Sequence, residues 1–265
     1  MAPNRRTHRQ YESKECLDQV ESFYRALVPK LSPASSRRYH SADRSSFSFI
    51  GLSVPQMRSI FSEGRDRVAV LRLPVPEQAG HWDYVWRNGG VYEVLCAPLF
   101  FLGLREVTKE PFQYWPLVKK WATKIENWVH SDSLCSFYTR CLYANPSMVY
   151  PEFVGWNKSN NPWLQRISIV SLLYYSRQRD AVLHFQELIA LVNPLLESSH
   201  PYVQKGVGWT LREIGNVYPR ETYDYLMRNV SRLAPVSYSY ATEKLEGAKK
   251  ERLVTARKKQ RKSGD

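Results

Sequence analysis

From residue 11 to residue 258 apolar side chains return at intervals of three and four, the spacing that lines one face of a helix. No run alternates apolar and polar positions between turn residues, as a half-buried strand would. The pattern predicts an all-α chain. Helix starts are marked at Ser53 before Val54-Pro55, Asn161 before Pro162, His200 before Pro201 and Tyr218 before Pro219. Proline suits a first helical turn because the N–H it lacks would have no partner there. About a dozen helices of roughly 10–18 residues fit, joined by short turns.

The second half repeats itself. Pro162-Trp163-Leu164-Gln165-Arg166 returns 39 residues later as Pro201-Tyr202-Val203-Gln204-Lys205, and Asn127 to Asp132 falls in the same register about 35 residues upstream. Helix pairs at such a period stack as HEAT-like or armadillo-like solenoids, each burying its apolar face only against its neighbours. The expected architecture is a single HEAT-like helical-repeat domain over 11–248 with a concave basic groove, flanked by basic tails at 1–10 and 249–265. Asp132, Arg166 and Lys205 then lie near the starts of three successive inner helices. Lys205, Trp209 and Arg212, spaced four and three apart, draw a basic and aromatic stripe along the last of them. Gly206 and Gly208 beside that stripe leave room for another backbone to approach, and without a preceding strand or a third glycine they are no dinucleotide fingerprint.

Composition sharpens this picture. A chain of 265 residues with 43% hydrophobic and 13% aromatic content is ample for a packed core. The formal net charge of +13 points to a polyanionic partner, yet residues 1–10 contribute +3 and 244–265 contribute +6, leaving +4 for the body. A binding assignment must therefore rest on the body. The charged ends read as solvated tails, and removing 250–265 is expected to spare both fold and groove. Cys16, Cys96, Cys135 and Cys141 form no Cys-x-x-Cys pair and no His cluster has zinc-ligand spacing, so the cysteines read as reduced core residues and no metal is expected. Neither a signal peptide nor a stretch of 18 apolar residues is present, which predicts a soluble protein, cytosolic or, in a cell with a nucleus, nuclear.

Trp128 and Asp132, four apart, put an aromatic ring and a carboxylate on one helix face. With Trp209 and the cations Arg166, Lys205 and Arg212 on the same concavity, these groups suit cleavage of the glycosidic bond of a purine alkylated on a ring nitrogen. Such a base is already cationic and leaves without a general acid. One carboxylate then suffices to stabilise positive charge growing on the deoxyribose and to place a water. Aromatic faces attract the cationic lesion, at about 0.5–2 kcal/mol per contact. Arg166 and Lys205 are read as phosphate clamps. His130 points away from Trp128 and Asp132 along the helix and is set aside as a general base.

The chain resembles the AlkD-type DNA alkylation-repair proteins, which are HEAT-like-repeat glycosylases. The most specific match is Gln204-Lys205-Gly206-Val207-Gly208-Trp209-Thr210-Leu211-Arg212-Glu213, similar to the family's Lys-x-x-Gly-Trp-x-Leu-Arg-Glu helix. Asn161 to Arg166, Phe49-Ile50-Gly51-Leu52 leading to Pro55, and Tyr92-Glu93 extend the resemblance over about Tyr39 to Leu245. It implies that Trp128, Asp132, Arg166 and Trp209 form an active cleft that excises 3-methyladenine and 7-methylguanine without metal or organic cofactor. It also implies that the base is not flipped into a pocket, unlike the common glycosylase scheme. The chain departs from the family's Trp-Trp-Asp-x-Val-Asp motif, having Asn127 and Val129 in place of the first Trp and first Asp. The expected partner is double-stranded DNA containing alkylated bases, bound by a monomer. The alternative is a non-catalytic helical-repeat module for structured DNA or RNA, and a third reading is a protein-interaction scaffold.

Overall fold

Ser53 starts a helix as expected: its side chain accepts from the Gln56 N–H, and the Gln56 side chain accepts in return from the Ser53 N–H at 2.9 Å. This reciprocal cap satisfies two of the donors that a helix start leaves over. The computed structural model describes residues 5–26, 45–64, 68, 72–173 and 181–262, so Tyr39 and the outer ends of both expected tails lie outside the described residues. Among those described, all regular structure is helical apart from an isolated bridge between Ser48 and Val91. None of their helices is long and apolar enough to cross a membrane. The chain divides into two compact units, Met1–Ser133 and Leu134–Asp265.

The first unit holds α1 (Arg5–Arg25), α2 (Val54–Glu63), α3 (Val75–Asn88), α4 (Tyr92–Phe101), the short α5 (Arg105–Lys109) and α6 (Trp115–Val118), and the start of α7 (Trp128–Ala144). The basic tail expected at 1–10 is thus helical from Arg5 onward. α4 is apolar almost all round, is buried along nearly its whole length, and packs against α1, α2 and α3. Its one charged residue, Glu93, is 1% exposed. Its carboxylate accepts from three successive backbone N–H groups, Ile50 at 2.9 Å, Gly51 at 2.7 Å and Leu52 at 3.2 Å. Gly51 has a φ of 99°, a conformation that disfavours side chains and turns its N–H toward Glu93. Two motif fragments 40 residues apart in the sequence are therefore one device. A buried carboxylate is tolerated because charge-assisted bonds, each roughly 1.5–3 kcal/mol, replace its water.

The second unit contains the rest of α7, then α8 (Pro146–Asn157), α9 (Pro162–Val170), α10 (Phe185–Val192), α11 (Pro201–Val217), α12 (Pro219–Asn229), α13 (Pro235–Ala241) and α14 (Gly247–Lys262). α11 packs against α9 and against α13. The repeated pentapeptides open α9 and α11, and two of their hydrogen bonds recur: Gln165 Nε2 donates to the Ser159 carbonyl at 2.9 Å, and Gln204 Nε2 to the Ser198 carbonyl at 2.8 Å. Ser159 Oγ accepts from the Asn161 N–H as Ser198 Oγ does from the His200 N–H. The 39-residue period is thus a structural repeat.

Two expectations change in this unit. Only Gly208 admits a backbone: a Cβ there would stand 2.5 Å from the Ser237 carbonyl oxygen. Gly206 makes room for a side chain instead, since its Cβ would meet Arg166 Nη1 at 3.3 Å. The expected C-terminal tail is a docked helix through Lys262. Leu253 and Arg257 are buried, and the Arg257 guanidinium donates to the carbonyls of Val230 at 2.7 Å and Leu233 at 2.9 Å. Its cation also lies 4.3 Å from the Tyr238 ring centroid. The apolar period of the sequence ends at these anchors, but net charge concealed them.

Candidate functional site

The expected site residues divide between the units, Trp128 and Asp132 in the first and Arg166, Lys205, Trp209 and Arg212 in the second. Asp132, Arg166 and Lys205 are each the fifth residue of their helix, α7, α9 and α11.

α7 begins at Trp128, 43% exposed, while Asp132 one turn on is 9% exposed and sits at the margin of the core. The ring is offered to solvent and the carboxylate is partly desolvated, which strengthens its interaction with any nearby positive charge. What fixes this turn lies behind it. Asn127 stands before the helix, and its Oδ1 accepts from the His130 N–H at 2.9 Å, a cap of the usual N-terminal kind. Its Nδ2 donates to His130 Nδ1 at 3.0 Å, which leaves the imidazole proton on Nε2, 3.5 Å from Cys96 Sγ. The ring stacks on Tyr92 at 4.7 Å and meets Trp86 edge-on at 5.6 Å. Asn127, which departs from the resembled motif, thus caps the helix and braces a buried histidine. Only Asn before a helix start hinted at this; the bond to His130 had no sequence signal.

Burial of His130 pushes its imidazole down to about 3, an effect the Lys124 charge reinforces. It stays neutral inside the protein, which supports setting it aside as a base. The sign follows: below about pH 6.5 the unfolded chain binds a proton that the folded protein refuses, so stability falls as pH falls toward 3, by up to about 1.4 kcal/mol per pH unit. Urea unfolding is expected to show a loss of about 2 kcal/mol between pH 7 and pH 5 from this group. His130→Gln should lower stability at neutral pH yet flatten that slope. An unchanged slope would place the proton uptake elsewhere.

In the second unit Arg166 is only 3% exposed. Its Nη1 donates to the Tyr202 carbonyl at 2.7 Å and its guanidinium lies 5.8 Å from the Trp209 ring centroid. Enclosed in this way, the guanidinium holds the start of α11 and backs Trp209, which is half-buried. Lys205 is exposed, with Nζ 5.3 Å from the Tyr202 ring. Tyr202 packs at a tilt against Trp163, with ring centroids 5.0 Å apart. Beside them His200 is pushed below the ordinary imidazole range, by burial first and then by the Arg166 charge. Arg212 is held by two carboxylates, Glu213 at 2.9 Å and Glu243, so its charge is compensated inside the protein. Of the three cations expected to meet DNA, only Lys205 is exposed. Among the described residues, no cluster of three or more His, Cys, Asp or Glu is arranged to hold a metal ion.

The folded arrangement is that of a helical-repeat protein. The model of the DNA alkylation repair enzyme family matches residues 25–245, and the chain belongs to that family. Among solved structures it is similar to a predicted DNA alkylation repair enzyme from Enterococcus faecalis, with a TM-score of 0.63 at 14% identity over 82% of this chain and 97% of that one. A structure of AlkD2 from Streptococcus mutans matches at a TM-score of 0.47 and 17% identity, over 72% of this chain and 100% of that one. No curated protein sequence matches the chain.

Proposed function

We propose that this protein is a metal-independent, monomeric DNA glycosylase of base-excision repair that removes cationic alkylated purines from duplex DNA, in the cytoplasm at the nucleoid or in a nucleus. The observation that carries the reading is the pairing, one helical turn apart, of the exposed Trp128 ring with the partly buried Asp132 carboxylate on a capped helix. The alkylated base carries a positive charge, so the C1′–N bond breaks with its electron pair passing to the base, which departs neutral. Asp132 stabilises the cation left on the sugar and orients the water whose oxygen bonds to C1′ and then passes its proton to the Asp132 carboxylate and on to solvent. Trp128 offers the lesion an aromatic face, and Trp209, backed by Arg166, is assigned the same kind of contact. The basic groove expected along the repeats belongs to this proposal. Incubation of the protein with methylated duplex should release free 3-methyladenine or 7-methylguanine. A protein that binds duplex and releases neither would be a binding module instead.

The two residues read as clamps differ in exposure, Arg166 being buried and Lys205 exposed. Lys205→Ala should weaken binding to intact and damaged duplex alike and flatten the slope of log affinity against log salt by about one. Arg166→Ala should leave that slope nearly unchanged and instead destabilise the protein by roughly 1–3 kcal/mol, because the Tyr202 carbonyl loses a charged donor. Equal slopes in the Lys205 variant and the wild type would remove it from the DNA contact.

A further inference from the structure

The family match ends at residue 245, so α14 lies outside the matched residues. Across its length, Gly247–Lys262, it has eight lysines and arginines against the single acid Glu251. Only Arg257 is turned inward among the basic side chains described; Lys250, Arg252 and Lys258 are exposed. Like charges three apart on a helix repel, as Lys249 and Arg252 must, and although most of the basic residues gather from Arg257 onward, Lys249, Lys250 and Arg252 stand near the N-terminal end, where the helix dipole disfavours them. A solubilising tail needs no fixed orientation. Yet α14 is pinned by buried Leu253, by the two bonds of Arg257 and its contact with Tyr238, and by Lys249 lying 5.7 Å from the Tyr223 ring. Tyr238 follows Ser237, whose backbone fills the space that Gly208 leaves, so α14 is tied through α13 to the helix bearing Lys205 and Trp209.

We propose that the exposed face of α14 is a second duplex-DNA contact surface, a rigid rack of cations that lies along the phosphates. The inference rests on the reading above that the protein works on duplex DNA. Sixteen helical residues span about 24 Å, matching roughly seven base pairs of backbone, and phosphate neutralisation with release of counterions favours such contact. An anchored rack differs from a flexible tail in that each cation occupies a defined place on the DNA, so removing a few produces a countable change in salt dependence.

The test is the combined variant Lys250→Gln, Arg252→Gln, Lys258→Gln in the full chain, which leaves Leu253 and Arg257 in place. Binding to undamaged duplex, measured across a salt series, should lose roughly one to two units of slope, about 0.9 per phosphate contact, because Lys250 and Arg252, two positions apart, lie on opposite sides of the helix and do not meet one backbone together. The charge-keeping variant Lys250→Arg, Arg252→Lys, Lys258→Arg should retain the wild-type slope. A folded Gln variant with the wild-type slope overturns the proposal. So does the result that neutralisation weakens binding only to phosphatidylserine-containing vesicles, which would make α14 a membrane contact. Base release by the wild type is scored separately. A fall in slope without release would refute the glycosylase reading and leave α14 as a DNA contact, whereas release with no fall in slope would do the reverse.

Discussion

Asp132→Asn is expected to lower the excision of methylated purines by two to three orders of magnitude in single-turnover assays, with little change in duplex affinity. Removing an electrostatic partner of a developing charge costs roughly 2.7–4 kcal/mol, because the stabilisation is realised only as the bond breaks. The substitution keeps the size of the side chain and removes only its charge. Asp132 is only 9% exposed, so an isosteric replacement is needed to keep its packing. The measurement is the rate of base release at saturating enzyme, paired with an unfolding curve to show that the variant remains native. A loss of only a few-fold would mean that another group carries the charge. Trp128→Ala offers a useful contrast, since losing an exposed aromatic face should cost only about 0.5–2 kcal/mol of lesion binding.

Much of this fold was legible as pattern because pattern and physics coincide locally. The Pro-marked helix starts at residues 162, 201 and 219 stand where expected, since a proline in a first turn costs nothing. The 39-residue echo led to real equivalence because the Ser159–Gln165 and Ser198–Gln204 bonds close within six residues. What could not be read is long-range. Glu93 and the Ile50–Leu52 backbone were seen only as separate resemblances, and nothing in either fragment says that one accepts from the other. Charges were the least legible of all. Arg166, Lys205 and Arg212 are alike in the sequence, but one is enclosed under Trp209, one is exposed and one is shared by two carboxylates. Whether a cation is available to a ligand depends on partners brought in by other helices, Glu243 from 31 residues away being the plainest case.

The same lesson reverses the expectation for the C-terminus. Deleting 250–265 would spare the fold if these residues were a tail, but the deletion removes Leu253, which is fully buried, and Arg257, whose guanidinium caps the carbonyls of Val230 and Leu233. Loss of a buried Leu costs about 2–5 kcal/mol and each bond to a charged donor about 1.5–3 kcal/mol, so the truncated chain should be destabilised by on the order of 5 kcal/mol. For a protein of this size that corresponds to a melting temperature lower by roughly 10–20 °C. Leu253→Ala alone should produce about half of this effect or more. The Lys250, Arg252, Lys258 glutamine variant, which alters only exposed side chains, should melt within a few degrees of the wild type because surface substitutions rarely exceed about 0.5 kcal/mol each. The comparison separates two roles of one helix: its inner face holds the second unit together, and its outer face bears the charge assigned to DNA. If the truncated protein melted with the full-length chain, the inner face would contribute nothing. The rigid rack of cations, which depends on that anchoring, would then lose its physical basis.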